Sequence, residues 1–213
     1  MAKKRRMPLN RERVLQAALQ LADEQGIEQL SMRNLGQVVG VEAMSLYKHV
    51  VNKEDLLDGI VDLVARELEV PAIGGDWKQE MRRRAISAHD ALMRHRWATQ
   101  LFVSRANVGP AMLRYVDATI GCLREAGFSY LLADYAWNAI DSYTYGYTLV
   151  ELSFPFAPHD YGAAAQGFLA MIPPAQFPYL NGMAKEVIEG RHTGLHELTF
   201  GLDLLLDGLE RLL

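Results

Sequence analysis

The sequence predicts an all-α chain, a small N-terminal helical unit followed by a larger helical body. Three observations predict it. Apolar residues recur at helical spacing from Asn10 to Gln25, and again almost without interruption from Asp76 onward. No stretch gives a convincing strand. Between these regions lie two short helical stretches joined at Gly40, and Val70-Pro71-Ala72-Ile73-Gly74-Gly75 is the clearest linker. At 213 residues, with 50% apolar and 23% charged side chains, the chain has ample material for a core.

The first long helix, Asn10 to Gln25, places Val14, Leu15, Ala18, Leu21 and Ala22 on one face, and Gly26 stops it. Ser31 is the expected cap of a short helix running to Val39, with Leu35 and Val38 as its apolar side. Gly40 supplies the tight turn, and Val41 and Leu46 anchor a second short helix. Two short helices joined this way are the geometry of a helix-turn-helix, whose second helix enters the DNA major groove. The side chains left to solvent on that helix are Ala43, Met44, Ser45, Tyr47, Lys48 and His49. Together they offer small, apolar, hydroxyl and cationic groups for base edges and phosphates. Asn52 caps the next helix, Asp55 sits in its first turn, and Leu56, Leu57, Ile60, Val61 and Val64 carry it to about Leu68. Its start closes the small core, and its remainder is a natural lever to the body.

Charge is distributed accordingly. Residues 1–54 carry nine Lys/Arg against six Asp/Glu, and residues 55–213 carry thirteen against twenty, which directs a polyanion partner to the N-terminal end. The basic run Lys3-Lys4-Arg5-Arg6 reads either as a solvated tail or as an arm along DNA phosphates or the minor groove.

In the body, Asp76-Trp77 to Arg94 turns Met81, Ala85, Ala88 and Leu92 inward, with Lys78, Arg82 and Arg83 outward. Arg82-Arg83-Arg84 reads as a solvated face pairing with carboxylates. Further helices cover His95 to about Phe102, and Pro110 to Ala126-Gly127. Phe128 to Phe154 is the longest helix and is unusually aromatic, ended by Pro155 and Pro158. It also carries Asp141, Ser142, Thr144 and Glu151, and an apolar cavity with a few convergent polar groups is what a small-molecule site needs. Trp137 and Tyr143 read as core, whereas Tyr145, Asp141 and Glu151 fit core or pocket equally. From His159 to Gly190, prolines break the chain into short helices and a loop. The last helix, about Thr193 to Leu213, carries a leucine heptad at Leu195, Leu198, Leu202, Leu205, Leu209 and Leu212. Gly194, Gly201 and Gly208 recur beside it, which reads as the close approach of a partner helix in a homodimer.

Other chemistries find little support. His192, His196 and Glu197 lack a third ligand and the order of a zinc-protease motif, so no metal is expected. Cys122, the single cysteine, excludes an internal disulfide framework and reads as a buried structural thiol. There is no phosphate loop or nucleophile elbow. No apolar run approaches the roughly 20 residues that span a bilayer. A cytoplasmic protein without cofactor, membrane contact or catalysis is the expectation.

The run from Arg11 to about Leu57 resembles the DNA-binding domain of TetR-family transcription regulators. The resemblance rests on Gly26-Ile27-Glu28, Ser31, Arg33-Asn34-Leu35, Gly40-Val41, Leu46-Tyr47-Lys48-His49-Val50, Asn52-Lys53 and Leu56-Leu57. Trp77, the Leu92/His95-Arg96 region, Gly127-Phe128-Ser129, Gly146, Phe200-Gly201-Leu202 and Gly208-Leu209-Glu210 resemble the C-terminal ligand-binding and dimerisation domain of tetracycline repressors. The resemblance implies a DNA-binding domain at residues 1–55 (with 1–9 a basic tail), a connecting helix at 56–70 and a ligand-binding and dimerisation domain at 71–213. It implies a homodimeric repressor released from a palindromic double-stranded DNA operator by a small-molecule effector. It also implies that Met32, Arg33, Ala43, Met44, Ser45, Tyr47, Lys48 and His49 face DNA, and that Lys53 contacts phosphate. Lys48 replaces the usual tryptophan of tetracycline repressors, and Ala43-Met44 a glutamine–proline pair, so their operator does not carry over.

Tetracycline repressors hold their drug with magnesium through a histidine, and the matching register here gives Phe102, with Arg105 three residues on. A phenyl ring offers a hard cation no lone pair. The expected pocket, Phe102, Arg105, Trp137, Asp141, Tyr145 and Glu151, therefore suits an apolar or aromatic effector with an anionic group for Arg105. The alternatives are a regulator of the same fold controlled by a protein partner, and an α-helical enzyme.

Overall fold

The structure, a computed structural model, describes residues 8–155, 160–191, 193 and 196–213. The basic run at Lys3 to Arg6, Pro158, His192, Gly194 and Leu195 lie outside the described residues. Among the described residues every regular element is helical: α1 (Arg11–Gln25), α2 (Met32–Val39), α3 (Ala43–Leu46), α4 (Lys53–Ala65), α5 (Trp77–Arg94), α6 (Ala98–Ser104), α7 (Pro110–Glu125), α8 (Tyr130–Ser153), α9 (Tyr161–Phe168), α10 (Pro178–Ile188) and α11 (Leu198–Glu210). None of them is long and apolar enough to cross a membrane.

Local chemistry sets most of these bounds. The side chains of Asn10, Ser31, Asn52, Asp76 and Ser129 each accept an amide of the first turn of α1, α2, α4, α5 and α8. Several bounds differ from the sequence expectation. α4 ends at Ala65 rather than Leu68, and the chain leaves it in overlapping turns before Val70-Pro71. α6 begins at Ala98 because His95 is not helical. Its ring nitrogens lie 2.8 Å from Asp23 Oδ1 and 3.1 Å from Glu67 Oε1. α11 begins at Leu198.

Two apolar cores organise the chain. The first joins Val14, Leu21, Leu35 and Leu46 to Leu56, Ile60 and Val64 of α4, and continues into Leu92, Phe102, Met112 and Tyr115. α4 is thus packed into the body as firmly as into the small unit. The second core holds Met81, Ala85, Cys122, Leu123, Phe128, Ile140, Leu202, Leu206 and Leu209. Burial pushes the Cys122 thiol up to about 11, which suits an inert structural residue.

Several side chains depart from expectation. Val38 is 54% exposed, and Gly36 takes the inward place beside Leu35. Arg84 belongs to the interior, at 1% exposure, whereas Arg82 and Arg83 do pair with carboxylates, Asp203 for one and Glu69 and Glu80 for the other. Of the heptad leucines, Leu198, Leu202 and Leu209 are buried within this chain, Leu205 is half-buried and Leu212 is 59% exposed. Gly201 also serves an approach within the chain. The Tyr143 hydroxyl of α8 donates to Leu198 O at 3.0 Å, and a Cβ on Gly201 would lie 2.4 Å from that hydroxyl oxygen.

Candidate functional site

The N-terminal site is built on the turn between α2 and α3. Gly40 adopts φ +73°, a left-handed conformation that closes α2. The backbone then folds back so tightly that a Cβ on Gly36 would lie 2.8 Å from Val41 O. Leu46 and Val50 are sunk in the first core, leaving the opposite side of the segment to solvent. Only Ala43–Leu46 is α-helical, and the chain continues to Val50 in overlapping turns, His49 and Val50 both donating to Leu46 O.

An ion pair fixes the far end of this segment. Arg11 of α1 grips Asp55 of α4 with contacts of 2.6 and 2.8 Å and donates to His49 O at 3.0 Å. Asp55 also accepts the Val51 amide at 2.7 Å. The Arg11 hydrogen bond holds the Asp55 carboxyl below its ordinary value, although burial opposes it.

Of the DNA-facing candidates, Arg33, Met44, Tyr47, Lys48 and Lys53 are exposed, Met44 at 75%. Ala43, Ser45 and His49 are half-buried, and Met32 packs on the core. Lys53 is the first residue of α4, two residues before Asp55. Among the described residues neither Lys48 nor Lys53 has an ion-pair partner.

The second site lies in the body between α5, α6, α7 and α8. Phe102 of α6 meets the Tyr145 ring of α8 edge-on, centroids 6.2 Å apart. Asp141 Oδ2 accepts Trp137 Nε1 at 2.7 Å and the Tyr145 hydroxyl at 3.4 Å. Four of the six pocket candidates therefore form one group. Arg105 and Glu151 stand apart from it. Arg105 reaches α4, pairing with Glu54 and Asp58 at 2.6 Å each. Glu151 stays at the surface beside His89, 3.4 Å away.

The charge at the centre of this group lies outside the sequence expectation. Arg84 of α5 donates Nε to Thr119 at 2.9 Å, and its Nη2 lies 2.7 Å from Asp141 Oδ1. That second contact is a charge-assisted pairing, and Nη1 has no hydrogen-bond partner among the described residues. The guanidinium also lies over the Tyr115 ring, 4.6 Å from its centroid, and the Tyr115 hydroxyl has no hydrogen-bond partner among the described residues. The signal was present in the register, since Met81, Arg84 and Ala88 share the inward face of α5.

Magnesium does not suit these donors. Phe102 offers no lone pair, Arg105 is a cation committed to α4, and Glu151 stands apart.

Two further contacts tie the body to the small unit. Asp62 of α4 caps α7, accepting Ala111 N at 2.9 Å and Met112 N at 3.2 Å. Trp97 Nε1 donates to Asp23 of α1 at 2.7 Å. The signal for the first was an aspartate inside the apolar run Ile60-Val61-Asp62-Leu63-Val64.

Known proteins match this arrangement in both parts. Residues 14–60 match the model of "Bacterial regulatory proteins, tetR family" and residues 70–213 that of "Tetracyclin repressor-like, C-terminal domain". The class D tetracycline repressor protein of Escherichia coli is 33% identical over 210 residues, covering 95% of this chain and 89% of its own length. The HTH-type transcriptional repressor DrrR1 of Streptomyces coeruleorubidus is 32% identical, covering 95% and 77%. The crystal structure of the Streptomyces coelicolor TetR family protein ActR in complex with (S)-DNPA superposes with a TM-score of 0.81 at 28% identity, covering 96% of this chain and 98% of that one. With its helix-turn-helix and its helical body both matched, the chain belongs to the TetR family of bacterial transcription regulators.

Proposed function

We propose that the protein is a homodimeric repressor that binds a palindromic operator and is released by a small aromatic effector. The observation that carries this reading is the geometric link between the two sites. Phe102 touches the buried group at Tyr145, and Arg105, at the end of the same short helix, grips α4 at Glu54 and Asp58. A ligand entering beside Phe102 shifts α6, Arg105 carries the shift to α4, and α4 carries the recognition segment through the Arg11–Asp55 pair. Two such segments then no longer match half-sites one helical turn apart, and operator affinity falls by the coupling free energy.

On this reading residues 1–55 read DNA, 56–70 transmit and 71–213 bind effector and partner. Met44, Tyr47 and Lys48 address base edges and backbone, with Arg33 and Lys53 on phosphates. Ala43, Ser45, His49 and Met32 set the depth and register of the segment. The dimer uses the side of α8 and α11 that the chain leaves uncovered. Leu131, Tyr135 and Leu149 on α8, and Phe200 and Leu204 on α11, are exposed apolar residues on two neighbouring helices. Gly146 and Gly208, with nothing within 4 Å of a built Cβ, leave room there for close approach. The bound (S)-DNPA of ActR supports a small-molecule effector.

Selection from a randomised DNA duplex pool tests the reading. An enriched palindrome with half-sites about 10 base pairs apart, or a multiple of that, supports it. Enrichment of no sequence would refute it.

A further inference from the structure

We propose that the Arg84–Tyr115 pair is the recognition centre for an aromatic effector that carries an anionic oxygen. The proposal rests on the reading above that the body takes an effector. The interior around Arg84 holds unpaired donors. A cation at 1% exposure ordinarily has every N–H engaged, because an unpaired buried donor is costly. Arg84 has Nε on Thr119 and Nη2 on Asp141, but its Nη1 has no hydrogen-bond partner among the described residues. The hydroxyl of Tyr115, a residue at 1% exposure whose ring lies under the guanidinium, is also unpartnered among the described residues. Burial pushes the Tyr115 phenol up, so it remains a protonated donor at neutral pH.

The Arg84 Nη1 and the Tyr115 hydroxyl both offer hydrogens. Asp141 is already committed, Oδ1 to Arg84 Nη2 and Oδ2 to Trp137 and Tyr145, four residues away on either side. The complement is therefore an acceptor brought from outside, and a guanidinium with an adjacent phenol selects a delocalised oxyanion. Phe102, Trp137 and Tyr145 put aromatic surface beside the same point. An aromatic carboxylate or an ionised hydroxyquinone has both features. The cation here is Arg84 in place of Arg105, whose guanidinium the α4 carboxylates hold.

Isothermal titration calorimetry on the full chain separates the possibilities, using 2-naphthoate, ionised 2-hydroxy-1,4-naphthoquinone and neutral 2-naphthamide. Either anion should bind, and the amide should bind about tenfold more weakly or worse. Which anion binds more tightly distinguishes a carboxylate from a hydroxyquinone. Tyr115→Phe removes only an unpartnered hydroxyl, so thermal stability should hold or rise while anion affinity falls about tenfold. Arg84→Gln should abolish the preference for anions over the amide. Equal affinity for naphthoate and naphthamide, no binding of either anion at millimolar concentration, or an unchanged anion affinity in Tyr115→Phe would each overturn the proposal. Operator release by compounds of any charge tests the effector reading separately. Release without anion preference refutes the Arg84 assignment alone.

Discussion

Arg105 lies 2.6 Å from Asp58, joining the end of the short helix under the aromatic group to the helix that carries the DNA-binding segment. The pair is partly exposed, with the Asp58 side chain at 51%, so its worth to folding is small, about 1 kcal/mol or less. Arg105→Ala is accordingly expected to lower thermal stability little while weakening effector-driven release several-fold. Melting curves and operator release, measured on the same preparation, give both numbers. A variant that unfolds readily yet couples normally would make Arg105 a structural residue.

Lys53 is exposed at the start of α4 and has no ion-pair partner among the described residues, which suits a phosphate contact. Lys53→Ala should weaken binding to all DNA sequences alike. The slope of log affinity against log salt should fall by about 0.9 per lost contact, thus about 1.8 for two half-sites. An unchanged slope removes Lys53 from the interface.

Gly201 and Leu204 lie one turn apart on α11, yet their substitutions should fail differently. A side chain at Gly201 drives into Tyr143 of the same chain, so Gly201→Leu should cost roughly 1–3 kcal/mol of stability or more. Leu204 is 60% exposed on the uncovered face, so Leu204→Arg should leave each subunit folded and dissociate the dimer. Sedimentation and thermal unfolding of both variants decide the matter. A dimeric, stable Leu204→Arg protein would place the interface elsewhere.

Asp55 sets an acid dependence. Its folded carboxyl is held below the ordinary value by the Arg11 hydrogen bond, so the stability it contributes is present above the unfolded pKa of about 3.9. That stability is lost as pH falls through the lower folded value. Asp55→Asn should therefore be about 1 kcal/mol less stable at pH 7, and the difference should shrink as pH falls below the unfolded value of about 3.9. A gap between the two proteins that persists undiminished in acid would mean the carboxylate charge is not the cause.

The small unit was legible because its signals are local. Ser31, Gly40, Asn52 and the apolar spacing around Leu35 and Leu46 act within a few residues, and each recurs as a cap, a left-handed turn or a buried anchor. Val38 was misplaced because Gly36, having no side chain, leaves no mark in an apolar pattern although it sits at the closest backbone approach. The body hid more, because its decisive contacts join distant segments. A basic triplet reads as surface unless it is known that Asp141, 57 positions later, meets its third member. The resemblance to tetracycline repressors assigned Arg105 to a pocket, but its partners lie on α4. The α11 heptad shows that a leucine stripe requires some neighbour without saying which, and here α8 and α5 of the same chain serve.

The most direct measurement is the affinity of 2-naphthoate for the free protein and for the protein saturated with its selected operator duplex. Competition of DNA and effector through one conformational equilibrium requires the ligand to bind the DNA complex more weakly, by roughly 5- to 150-fold, and the duplex to bind the liganded protein more weakly by the same factor. Tight binding of naphthoate with equal affinity to both forms would contradict the account, because a ligand indifferent to the DNA-bound state cannot release it.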